Sequence, residues 1–159
     1  MRKHQKGFSL IELLIVVAII LIIAAIAIPN LLRSRMAANE ASAVGSLRTI
    51  NTAEVTFSTT YPSIGFGTLA ALGGAAPCTT ATSTSACLID STLSNTAVKS
   101  GYNFAIANLT GAPVIVTYDA TAVPTVVGQS GQRGFFSDQS GVIRYDPTGA
   151  APTNASPAL

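Results

Sequence analysis

With 159 residues, the chain is long enough for one modest globular domain and an extended element, and too short for two independent cores. Its composition, 48% hydrophobic and 10% charged, departs from that of an ordinary soluble domain, and much of the apolar excess falls between Phe8 and Ile28. The net charge of +2 depends on Arg2, Lys3 and Lys6; without residues 1–7, six basic residues face seven acidic ones, a net −1, which excludes a global basic field for nucleic acid.

Residues 1–7, Met-Arg-Lys-His-Gln-Lys-Gly, are basic and polar and end in Gly7. The 21 residues from Phe8 to Ile28 that follow contain one ionisable side chain, Glu12. As a helix they would span about 32 Å, close to the hydrocarbon thickness of a bilayer. Positive charge ahead of the run and little behind it place the N-terminus in the cytoplasm and the body of the protein beyond the membrane. An ordinary secretory signal has a shorter apolar core and a small-residue cleavage site. Here Pro29-Asn30-Leu31-Leu32-Arg33 continue the helix, and removal of the whole segment at Ala24, Ala25 and Ala27 is the alternative.

Glu12 is the residue that composition does not explain. A carboxylate inside a membrane helix is costly unless it is paired, neutralised or able to snorkel to the interface. Cleavage after Gly7 would create an α-amino group on Phe8, a natural counter-charge. Because Glu12 sits a full turn from Phe8, an amine supplied by a neighbouring copy fits better than one from its own chain.

The string from Lys6 to Val16, KGFSLIELLIV, resembles the class III signal of type IV prepilins and type II secretion pseudopilins. It joins a short basic leader, the Gly7–Phe8 junction, Glu12 at the fifth position after the junction, and Pro29 twenty-one residues after Phe8. The resemblance is specific over residues 1–35 and general in layout beyond. It implies a prepilin peptidase that cuts after Gly7 and N-methylates Phe8, pairing of Glu12 with the Phe8 amine of an adjacent subunit, and a bend of the helix at Pro29. Pro29 lacks an amide donor and crowds the preceding turn, consistent with a bend.

Beyond Pro29 the pattern becomes amphipathic. Ala43, Leu47, Ile50, Phe57 and Tyr61 recur at helical spacing, with Glu54 the exception near the stripe. Pro62 ends the pattern, so one helix is expected from about Phe8 to about Tyr61. Residues 62–100 read as a connecting region rich in Gly, Ala, Thr and Ser, with a helical turn around Asp90–Leu93. Cys78 and Cys87 have eight residues between them. In an exported chain such a pair forms a disulfide, two free thiols being the alternative. Strand signals follow at 102–106, 113–118, 133–137 and 142–145, predicting three or four short antiparallel strands.

The expected fold is α+β: a long N-terminal α-helix, membrane-spanning in its first half and packed by its second half against a small antiparallel β-sheet head. The expected segments are a cleaved leader (1–7), a transmembrane or filament-core helix (8–28), its amphipathic continuation (29–61), a disulfide-bearing connection (62–100), the sheet (101–146) and a flexible C-terminal tail (147–159). This layout also resembles a type IV pilin.

Asp138 and Asp146 are open to two readings, turn formation or a calcium site. Two carboxylates supply few of the six to eight oxygens calcium takes, which favours turns. Asn108-Leu-Thr and Asn154-Ala-Ser match glycosylation sequons. Catalysis is not expected. The single histidine, His4, lies in the leader, no phosphate loop is present, and the carboxylates are scattered.

The expected function is a structural subunit of a type IV pilus, with no cofactor. Its partners would be copies of itself in a helical homopolymer, the prepilin peptidase, the inner-membrane assembly machinery and, before assembly, membrane lipid; no nucleic acid is predicted for the isolated subunit. The precursor would sit in the inner membrane and the product in an extracellular filament. A type II secretion pseudopilin and a non-polymerising pilin-like binding module are the alternatives, and the cysteine pair favours the pilin.

Overall fold

The computed structural model describes residues 8–74 and 77–159, so the expected leader, with Gly7, lies outside the described residues. Helix α1 spans Leu10–Thr60 and contains Pro29. Two compact units divide between Arg35 and Met36, and α1 contributes to both.

In the first unit α1 presents apolar side chains to its surroundings almost without interruption, from Leu10 at 77% exposure to Leu31 at 70%, with Phe8 exposed just ahead of it. A helix apolar on every side closes its own backbone hydrogen bonds, which suits it to a medium without water.

The second unit follows from the amphipathic pattern. Ala43, Leu47, Ile50 and Phe57 are fully buried, and Tyr61 packs at the edge of the same cluster. Each buried large apolar side chain contributes about 1.5–3 kcal/mol. Helix α1 stops where Pro62 lacks an amide donor and disfavours helical geometry in the residue before it. Helix α2 (Leu69–Leu72) is capped by the Thr68 hydroxyl, which accepts from Ala71 N–H at 3.2 Å. Helix α3 (Ser91–Asn95) is capped by Asp90, which accepts from Leu93 N–H at 2.9 Å. The Cys78–Cys87 disulfide closes the connection between these two helices.

Five antiparallel strands follow in chain order across one sheet: β1 (Val98–Lys99), β2 (Tyr102–Thr110), β3 (Thr117–Pro124), β4 (Gly134–Asp138) and β5 (Arg144–Asp146). Ser100 and Gly101, both at positive φ, make the two-residue turn that pairs Lys99 with Tyr102. Tyr102, Phe104, Tyr118, Ala120, Ala122 and Phe135 project into the cluster that holds the α1 stripe. The α+β class and the helix-on-sheet packing are as expected.

One expectation is corrected. The strand read at 113–118 begins at Thr117 and runs to Pro124. Its first part serves a turn instead: Ile115 bonds to Ile64 and Phe66 of the loop after α1. Residues of the tail at 147–159 hydrogen-bond to the sheet edge. Tyr145 N–H donates to Pro157 O at 3.0 Å, Leu159 N–H to Ile143 O at 2.9 Å, and Arg144 to Ser156 O at 2.9 Å. Phe136, on the face opposite Phe135, is only 3% exposed and lines a groove with Pro152 of the tail. The backbones meet at Gly134, where an added Cβ would lie 2.0 Å from Ala150 O.

Candidate functional site

Ser9, just ahead of α1, and Glu12 in its first turn are brought together. Ser9 Oγ accepts from Ile11 N–H at 3.3 Å, and Glu12 Oε2 accepts from Ser9 N–H at 2.9 Å. This is half of a capping box: Glu12 reaches back to the Ser9 amide, while the Ser9 hydroxyl takes the amide of Ile11 rather than that of Glu12, and both satisfy amides that the first helical turn leaves unpaired. Sequence reasoning assigned Glu12 to a neighbour's amine and missed this local use, although the Ser-x-x-Glu spacing signals it. One carboxylate oxygen is engaged within the chain, and the other has lone pairs for a further donor. Pro29 lies inside α1, which the structure carries through it as helix.

The head holds its own buried acids. Glu40, 9% exposed, accepts from Gln132 N–H at 2.9 Å, from Arg133 N–H at 3.1 Å and from the Arg133 guanidinium at 2.8 Å. Burial pushes its carboxyl up, but these donors and the adjacent positive charge outweigh burial and hold it below the usual range. Arg133 also lies 5.5 Å from the Phe135 ring centroid and 5.7 Å from that of Tyr145, so one guanidinium ties α1 to β4 and β5. Asn51 accepts from the Tyr118 hydroxyl at 3.1 Å and donates to Ser137 Oγ at 2.8 Å. None of these polar anchors was singled out as such in the sequence, because a lone Glu or Asn on a helix reads as surface until the opposing strand is known.

Cys78 and Cys87 form the expected disulfide, with Cα atoms 5.7 Å apart. Asp138 accepts from the amide and hydroxyl of Ser140, and Asp146 from the amide and hydroxyl of Thr148. Each carboxylate is therefore taken up by its own turn, the geometry in which Asp mimics a backbone acceptor. Among the described residues, no three His, Cys, Asp or Glu side chains gather as metal ligands would.

The prokaryotic N-terminal methylation motif matches residues 2–28 of this chain. This chain is 63% identical over 38 residues to the type IV wide pilus major component of Thermus thermophilus, covering 24% of this chain and 29% of that protein. It is 48% identical over 54 residues to the type IV major pilin of Myxococcus xanthus, covering 34% of this chain and 24% of that protein. The match thus spans less than a third of the length of these curated pilin relatives. No solved structure matches this chain.

Proposed function

We propose that this chain is a structural subunit of a type IV pilus filament, drawn from an inner-membrane pool after cleavage between Gly7 and Phe8 and N-methylation of Phe8. The observation that carries the reading is the run of exposed apolar side chains from Phe8 to Leu32 in which Glu12 is the only ionisable group. Such a helix needs a medium without water, first lipid and then the packed helices of a fibre. In the membrane its own backbone is satisfied and Ser9 and Glu12 close its first turn. In the fibre, Glu12 accepts a charge-assisted bond from the Phe8 ammonium of an adjacent subunit, which sets the axial step between copies.

Beyond copies of itself, the partners in this reading are the prepilin peptidase and the inner-membrane assembly machinery. The head contributes the outer surface of the filament, stabilised outside the cell by the Cys78–Cys87 crosslink. The deciding experiment is mass analysis of sheared surface filaments together with electron microscopy. The expected result is long fibres containing this chain with an N-methylated Phe8 at its N-terminus. Fibres in which residues 1–7 are retained would overturn the reading. Blocked protein secretion on gene deletion, with surface fibres intact, would replace it with the pseudopilin.

A further inference from the structure

Glu54 lies on α1 in the head with 0% exposure, the most deeply buried carboxyl among the described residues. Its Oε2 accepts from Gly67 N–H at 2.8 Å, and its Oε1 has no hydrogen-bond partner. A carboxylate offers about four lone-pair sites, so an ionised Glu54 would be left with most of its hydration unreplaced.

The bonded amide belongs to a strap, residues 61–67, that leaves the end of α1 and crosses back over it. Gly67 lies close on Phe57, where an added Cβ would come 3.1 Å from the ring. The strap in turn holds the turn between β2 and β3. Phe66 N–H donates to Ile115 O at 3.1 Å, Ile115 N–H to Ile64 O at 2.8 Å, and the Phe66 ring meets Tyr118 edge-on at 4.8 Å. Glu54 is thus the one side chain of α1 that hydrogen-bonds to this strap among the described residues.

The groups around it offer no counter-charge. From β3 the facing titratable group is Tyr118, whose hydroxyl is committed to Asn51 of α1, and Asp138 at the end of β4 bears on the same tyrosine. Tyr61 opens the strap. Each of these is neutral or negative. Among the basic side chains of the head, Arg133 is paired with Glu40, Lys99 with Asp90, Arg144 is bonded to Ser156 O, and Arg48 is exposed on α1.

We propose that Glu54 is a proton-operated latch: the neutral carboxyl holds the strap 61–67 and the β2–β3 turn shut on α1, and loss of its proton releases both. Burial supports the direction, since it pushes Glu54 up to about 7 and the Gly67 bond offsets only part of that rise. A charge in this site has one donor; with the strap lifted it has water. Opening therefore becomes easier as pH rises from the ordinary carboxyl range to neutrality, while the α1–sheet core stays closed.

The test is pH-corrected amide hydrogen exchange on the full chain in detergent micelles, for the wild type and Glu54→Gln. Between about pH 5 and about pH 8, wild-type protection at Phe66, Gly67 and Ile115 should fall roughly fifty-fold. In Glu54→Gln, which keeps an acceptor for Gly67 but no titrating proton, it should stay level. Phe104, bonded to Ala97 O in the sheet, should be far better protected than the strap amides at every pH, because it exchanges only when the core itself opens. Level protection in the wild type, the same fall in Glu54→Gln, or protection at Phe104 no higher than at the strap would each overturn the latch. If the variant does not fold, the carbon-13 shift of the wild-type Glu54 carboxyl decides. A midpoint near neutrality that tracks the Gly67 exchange supports the latch, and one in the ordinary carboxyl range overturns it.

Discussion

Three glutamates of one helix have three fates, set by the donors each meets. Glu12 finds the Ser9 amide at an open helix end, Glu40 finds two amides and a guanidinium, and Glu54 finds one amide in a dry core. Their effects on stability run in opposite directions with pH. Glu54, raised to about 7, favours the folded head fully below the ordinary carboxyl range, and that contribution is lost as pH rises from about 4.5 to about 7. Glu40 is lowered, so its contribution is present above the ordinary range and is lost as pH falls through its folded value. Replacing Glu40 by Ala strands the amides of Gln132 and Arg133 and should cost about 1–3 kcal/mol at neutral pH. The loss should shrink in acid, as thermal unfolding across pH would show. Glu12→Ala is expected to leave membrane insertion intact, since it removes a charge from lipid, while abolishing surface fibres. Fibre yield by electron microscopy beside membrane content by immunoblot checks both halves.

The long helix was readable because its two halves carry strong and different periodicities: apolar throughout, then apolar at three- and four-residue spacing. Strand β3 was placed too early because Val114, Ile115 and Val116 are β-branched while the true strand buries Ala120 and Ala122, small residues with little strand signal. Helix α2 was missed for a related reason: at four residues it is too short for any period to show. The tail had the composition of loose surface, yet Phe136 on β4 needs a cover and Gly134 gives the tail room to approach. Gly134→Ala should dislodge it, exposing Phe136 and freeing the tail to proteolysis, so limited digestion should remove residues from 147 onward in the variant before the wild type. For the disulfide, the enclosed loop of ten residues predicts a loss of roughly 2–3 kcal/mol on reduction. Chemical denaturation with and without reductant measures it, and because the crosslink ties the connection rather than the sheet, the β-sheet signal should persist once reduced.

Taken whole, the chain joins an apolar rod segment to a head with its own core, a division that composition alone announced at the change of pattern after Pro29. By itself the sequence determined the apolar anchor, the cleavage junction and Glu12 as candidates, the α+β class and the cysteine pair. These are local properties: they depend on which residues follow one another within a few turns. Only the tertiary structure decided that Glu40 clamps Arg133, that Glu54 latches Gly67, that Ile115 serves the strap, and that the tail covers Phe136. Those contacts join residues distant along the chain, and whether a carboxyl is solvated, paired or stranded depends on the surface folded against it, which no neighbouring residue encodes.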